Sequence, residues 1–161
     1  RVKDIKKRMS YGLVRGAIMQ TQKQKTCAEL ISARCYDRKE QFNSALFYFK
    51  NKNEGNKIES TQDDFEAYES LMDYANQNSL DFSYVEPNTF DNQPEGYWRW
   101  QLSWGGPSDE FRYYHYEGDK NSIKSIEYAY MDWFDGATMP VYSNLGGAGV
   151  YEIGYNYIIN Q

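Results

Sequence analysis

One histidine, two cysteines and a scatter of carboxylates are the residues of this chain whose types could do chemistry. His115 sits in an alternating run of large side chains, where it would serve as a general base or proton relay near neutral pH. No nucleophile stands at a recognisable spacing from it, so a packed or surface strand residue is expected instead. Cys27 and Cys35 are eight residues apart in a stretch that reads as helical. That is about 12 Å along a helix axis, too far for a bridge within one helix. They are expected as buried thiols acting as small hydrophobes. A Cys–His dyad would need folding to bring one of them onto His115. A closed zinc site wants four Cys or His ligands, and the chain offers three. Oxygen ligands for magnesium or calcium would come from Asp132 and Asp135, or from Asp109 and Glu110, although no EF-hand spacing is present. The expectation is a binding protein without metal or cofactor, not an enzyme.

Two glycine clusters, Gly105-Gly106 and Gly146-Gly147-Ala148-Gly149, resemble phosphate cradles only superficially. Neither is followed by Lys-Ser/Thr or fits a dinucleotide fingerprint. The first reads as a hairpin turn, in which Gly supplies positive φ and Pro107 fixes the next φ.

Charge is divided sharply along the chain. Residues 1–58 hold fourteen Lys and Arg against five Asp and Glu, and residues 59–161 hold four against eighteen, so a net charge of −5 conceals halves of +9 and −14. Lys3, Lys6, Lys7, Arg8 and Arg15 are dense enough for an electrostatic footprint on nucleic acid. They would serve equally well packed against the chain's own acidic half. Asp63, Asp64, Glu66 and Glu69 are expected on one helix face, and Asp109, Glu110, Asp132 and Asp135 around the turns of a sheet. Carboxylates fixed on a scaffold imitate a phosphate track and would steer such a protein onto the basic groove of a nucleic-acid-handling partner.

The elements that position these residues follow from periodicity. Ile5, Met9 and Leu13 predict an amphipathic basic helix over about 1–20. Thr26 is placed to cap a second helix running through Leu30, Ile31 and Cys35, and Phe42, Ala45, Leu46 and Phe49 predict a third over about 38–50. A capping arrangement at Thr61 and Asp64 opens a helix with Phe65, Tyr68, Leu71, Met72 and Ala75 inward, ending near Asn78. Strands are expected over 80–85, 97–104, 110–117 and 123–133, with an apolar tail over 150–159 as a last strand. Trp98, Trp100, Leu102 and Trp104 should share one face of the second strand. Arg99 and Arg112 would project from neighbouring strands and pair with nearby carboxylates. The fold class is α+β: one domain over 1–161, with N-terminal helices packed on a C-terminal antiparallel sheet of about four to five strands. A basic helical part (1–58) precedes an acidic helix and the sheet (59–161). No run is long enough to span a bilayer and no secretory leader is visible; the two buried thiols make a reducing cytoplasm the expected location.

From Trp100-Gln-Leu-Ser-Trp-Gly-Gly-Pro-Ser-Asp-Glu-Phe-Arg112, followed by Tyr130-Met-Asp-Trp-Phe-Asp-Gly136, the chain resembles small uncharacterised proteins carried by phages, plasmids and other mobile elements. The likeness covers about forty residues and leaves the basic N-terminal part outside. By class it implies an anti-defence factor, an anti-CRISPR or anti-restriction inhibitor of a host nucleic-acid-handling protein, and it supplies no inhibitor residues. The expected function is therefore inhibition of a host protein through the acidic surface. The alternatives are a nucleic-acid-binding accessory protein using the basic helix, and a carboxylate-metal enzyme.

Overall fold

Thr26 and Glu29 start the first described helix. The Thr26 hydroxyl accepts from the Glu29 amide at 3.3 Å, and the Glu29 carboxylate accepts from the Thr26 amide at 2.8 Å, a reciprocal capping box. The computed structural model, which describes residues 24–58 and 65–161, continues this helix unbroken as α1, Cys27–Asn53. Two helices were expected here, and one is found. No Gly or Pro interrupts residues 36–40, and Cys27, Ile31, Cys35, Phe42, Ala45, Leu46 and Phe49 hold one buried stripe throughout. The expected helix over 1–20, with Lys3, Lys6, Lys7, Arg8 and Arg15, lies outside the described residues, as do Thr61, Asp63 and Asp64.

The helix expected to run to Asn78 is divided. Phe65–Ala67 forms a short 3₁₀ turn, and α2 is only Leu71–Gln77. The divider is Ser70, whose hydroxyl accepts from the Asp73 amide at 3.1 Å and starts a new helix where a continuous one would have passed. Phe65 still reaches the core and packs on Tyr48 and Tyr74.

Five strands follow among the described residues: β1 (Asp81–Val85), β2 (Tyr97–Ser103), β3 (Ser108–Tyr116), β4 (Asp119–Asp132) and β5 (Asp135–Val141). They pair antiparallel in chain order as one sheet, as short connections require. The α+β class and the antiparallel sheet match the sequence reading. β5 was not anticipated, because Gly136 and Pro140 look like breakers. It is an edge strand, and Pro140 opposite Glu127 is tolerated there. The apolar tail is not a strand but a helix, α3 (Ala148–Ile159). Gly149, Val150, Ile153, Gly154 and Ile158 are its buried positions, with spacings of three and four that short apolar runs leave ambiguous. Among the described residues no helix is long and apolar enough to cross a membrane.

Of the described helices, α2 packs against both α1 and α3, which together cover one face of the sheet. Trp100 is fully buried there, with Phe42 of α1 at 4.5 Å between ring centroids and Phe111 of β3 at 5.7 Å. Tyr157 of α3 stacks on Phe82 at 4.4 Å, and the Tyr113 hydroxyl donates to the Val150 carbonyl at 2.9 Å. The start of α3 is held from another helix. The Asn43 side chain of α1 accepts from the Gly149 amide and donates to the Gly146 carbonyl, both at 2.7 Å.

Trp104 departs from the expected shared face. The β2–β3 register shifts between Gln101 and Ser103, a bulge that brings Ser103 opposite Asp109. One extra residue reverses the alternation, so Trp98, Trp100 and Leu102 are buried while Trp104 is 77% exposed.

Candidate ligand-binding site

Alternation leaves a second sheet face that none of the described helices covers. In register across β2 and β3, Tyr97 stands opposite Tyr114, Arg99 opposite Arg112 and Gln101 opposite Glu110. These side chains point away from the Trp100 core. Tyr97, Arg99, Glu110, Arg112 and Tyr114, with Met131 of β4, floor a groove of about 970 Å³.

One wall is the β1–β2 loop, from Phe90 to Glu95. Gln93 holds this loop in shape. Its carboxamide oxygen accepts from the Thr89 and Phe90 amides at 3.0 and 3.2 Å, while its nitrogen donates to the Glu86 and Glu95 carbonyls. Asn88 and Asn92 take the left-handed backbone positions, at φ 60° and 57°, which Asn tolerates better than most residues.

The other wall is made by two hairpin tips. Gly105 takes φ 110° in the β2–β3 turn, as the turn chemistry predicted. Trp133 and Phe134 form a two-residue turn between Asp132 and Asp135, and they are 87% and 105% exposed. The tips touch at Gly106, where an added Cβ would lie 2.9 Å from the Trp133 indole nitrogen. Trp133 itself is held at φ 53°. Two-residue hairpin turns ordinarily place Gly, Asn or Asp at such a position, and a bulky residue there costs about 1–2 kcal/mol. Strain of this kind persists at ligand clamps and switch regions. Trp133→Asn should therefore stabilise the fold by about 1 kcal/mol, read from the urea midpoint, while removing an aromatic wall. A midpoint unchanged or lowered would mean that the tryptophan is not strained.

The electrostatics of the floor are unequal. Arg112 Nε donates to Glu110 Oε1 at 2.7 Å, and its guanidinium lies 5.2 Å from the Tyr97 ring centroid. Arg99 is poorly matched. Its Nη2 is 3.3 Å from Ser83 Oγ and 3.8 Å from Asp81 Oδ2, and its buried Nε has no hydrogen-bond partner among the described residues. Burial raises the Tyr97 phenol, and burial with the Glu127 carboxylate pushes Tyr114 up to about 12, so both face the groove as neutral hydroxyls.

The carboxylates expected on one acidic surface are placed very differently. Asp109 and Glu110 are only 4% and 5% exposed, which removes both from any acidic surface. As successive strand residues they face opposite sides of the sheet, and an arginine engages each. Asp109 takes Arg38 of α1 in a fork, Nε at 2.7 Å and Nη2 at 3.1 Å, together with the Ser103 and Tyr128 hydroxyls. Asp135 accepts from the Cys27 amide at 2.6 Å and so anchors the start of α1. Glu66 lies on the 3₁₀ turn and Glu69 just after it, both exposed and not on one helix face. Asp132 is half-buried at the β4–β5 tip. Among the described residues no group of three His, Cys, Asp or Glu is arranged to hold a metal.

His115 is engaged at both nitrogens. Its Nδ1 lies 2.9 Å from the Tyr116 carbonyl and its Nε2 lies 2.8 Å from the Tyr84 hydroxyl. A carbonyl only accepts, so in the neutral ring Nδ1 carries the proton and Nε2 accepts from Tyr84. Burial raises both the Cys27 and the Cys35 thiol, and the Asp135 charge adds to this at Cys27. Both stay protonated at neutral pH and are poor nucleophiles.

Comparison of the chain with protein-family models, curated proteins and solved structures gave no match.

Proposed function

We propose that the protein is a binding module that holds its ligand in the groove on the open sheet face. The observation carrying this reading is that exposed Trp104 and a strained, exposed Trp133 both line a groove floored by two arginines in register. Large exposed aromatics on a rigid scaffold are characteristic of recognition sites. Pockets of several hundred Å³ with a few convergent polar groups are the usual form of a ligand site. Inhibition through an acidic track would need its carboxylates together on one exposed face. Asp109 and Glu110 lie inside instead, so the groove is favoured over the acidic surface.

The test is native mass spectrometry of the protein after incubation with a small-molecule extract of cells and rapid desalting. The unmodified protein should retain an adduct that a Trp104→Ala/Trp133→Asn variant does not. An adduct kept equally by both, or by neither, would overturn the groove as the binding site.

A further inference from the structure

On the reading that the groove is a binding site, its unspent charge decides the sign of what enters it. Both floor arginines are already answered, Arg112 by Glu110 at 2.7 Å and Arg99 by Ser83 and Asp81, which lie outside the groove. The carboxylates of the loop wall are not. Asp91 is exposed, with no ion pair or hydrogen bond among the described residues. Glu95 has only Lys124, at 3.8 Å and largely in solvent, a kind of pair that contributes little. Beyond residue 23 the chain holds eleven Lys and Arg against twenty-two Asp and Glu. A field of that sign draws cations into a cleft.

The opposite wall offers faces that hold cations. A Lys or Arg over an indole ring is attracted by its quadrupole, and Trp104 and Trp133 stand exposed there. The molecule already uses this contact, with Lys120 3.9 Å from the Tyr84 centroid and Arg112 5.2 Å from that of Tyr97. The densest cations of the chain enter the fold beside this wall. Residues 1–23 carry seven Lys and Arg against one Asp, and Lys3, Lys6, Lys7 and Arg8 fall within six positions. Their point of entry is fixed. The Cys27 amide donates to Asp135 at 2.6 Å, and Asp135 closes the turn that presents Trp133. Reach suffices as well. The groove follows β2 from the loop before Tyr97 to the tips after Ser103, about 20 Å at ~3.3 Å per residue. Arg8 precedes residue 24 by sixteen positions, which is about 24 Å even at the rise of a helix, ~1.5 Å per residue.

We propose that the groove is the docking site of the chain's own basic segment, residues 1–23, with Lys3, Lys6, Lys7 and Arg8 set between the Trp104/Trp133 wall and the Asp91/Glu95 wall. Any other ligand of the groove then has to displace this segment. Being tethered, the segment competes at an effective concentration on the order of millimolar, which a free cation of the same chemistry must exceed. The division of charge gains a purpose within one molecule, since +6 on residues 1–23 faces −11 on the remainder.

The experiment is zero-length carbodiimide coupling of the full chain, using an equal mixture of nitrogen-15-labelled and unlabelled protein, with the digest read by mass spectrometry. Lys3, Lys6 or Lys7 should be joined to Asp91 or Glu95 within chains of one isotope. The Lys120–Glu86 pair, at 3.8 Å, is the internal standard for coupling. A variant with Lys3, Lys6, Lys7 and Arg8 all changed to Glu should show stronger acrylamide quenching of tryptophan fluorescence and retain more of the groove adduct. Salt at ~1 M, which screens charges beyond ~3 Å, should raise quenching of the unmodified protein in the same way. Links confined to carboxylates outside the groove, such as Glu66 or Glu69, would overturn the assignment, as would no links beside a coupled standard. Links of mixed isotope would overturn docking within one chain and give the groove to a second copy. Quenching unchanged by charge reversal would also refute the proposal. If the links fail while the adduct that depends on Trp104 and Trp133 persists, the docking is refuted and the binding role stands. Loss of the adduct as well would refute both.

Discussion

Gly149→Ala is expected to destabilise the protein by about 3 kcal/mol or more, the upper end of overpacking costs. The added methyl would lie 2.3 Å from the Phe42 carbonyl oxygen, 2.4 Å from its carbon and 2.7 Å from the Asn43 nitrogen. These are backbone atoms in the middle of α1, so no side chain can rotate away. One helix has to retreat from the other, and that movement also opens the Asn43 clamp on the Gly149 amide. Domains of this size are stable by roughly 5–15 kcal/mol, so the loss is a large fraction of the total. Gly136→Ala is the matched control, since its nearest contact would be Met131 Cγ at an ordinary 3.6 Å. Urea unfolding of the two variants decides the point. Equal midpoints would mean that the α1–α3 crossing is looser than its geometry.

Asp109→Ala should cost about 3–5 kcal/mol, the usual consequence of leaving one partner of a buried ion pair behind. The loss comes mainly from what remains. Arg38 keeps its charge against the sheet, and the Ser103 and Tyr128 hydroxyls lose their acceptor. The same residue sets an acid limb. Burial alone would raise the Asp109 carboxyl, but hydrogen bonds from Arg38, Ser103 and Tyr128 and the Arg38 charge hold it below the ordinary value. A group lowered on folding adds stability that is complete above its unfolded value, about 3.9, and is lost as pH falls through the folded one. The urea midpoint of the unmodified protein should therefore drop steeply below about pH 4. Asp109→Asn should start lower and fall less over the same range. Parallel acid limbs for the two would remove Asp109 from the account.

Much of the sheet was legible because alternation and turn chemistry agree over residues 97–132. Arg99 and Arg112 could be placed on neighbouring strands for the same reason, and their carboxylate partners Asp81 and Glu110 are present. Trp104 was misplaced because a bulge leaves no mark in composition, while it inverts every later side chain. α3 was read as a strand because ten apolar-rich residues carry both periods. What decides between them is the close fit of Gly149 and Gly154 against α1 and Tyr113, a tertiary fact. The groove was missed because it is assembled from one face of β2 and β3, a loop and two hairpin tips, with no contiguous motif. Asp132 and Asp135 drew notice as metal ligands, yet the informative residues lay between them. Two aromatics in a turn that ordinarily takes Gly, Asn or Asp were the available signal.

The Asn43 clamp has a consequence for the order in which the fold is completed. Gly147, which precedes α3, gives it no side-chain cap, so the acceptor for its first turn arrives from a residue made more than a hundred positions earlier. α3 is thus a helix by consent of α1, and a peptide of its sequence alone has little reason to coil. During synthesis, α1 is available to Trp100 from the start, but Phe82 and Tyr113 wait for the residues of α3, which bring Tyr157 and Gly154 against them. In that interval these two aromatics stay adhesive until the turns of α3 find Asn43.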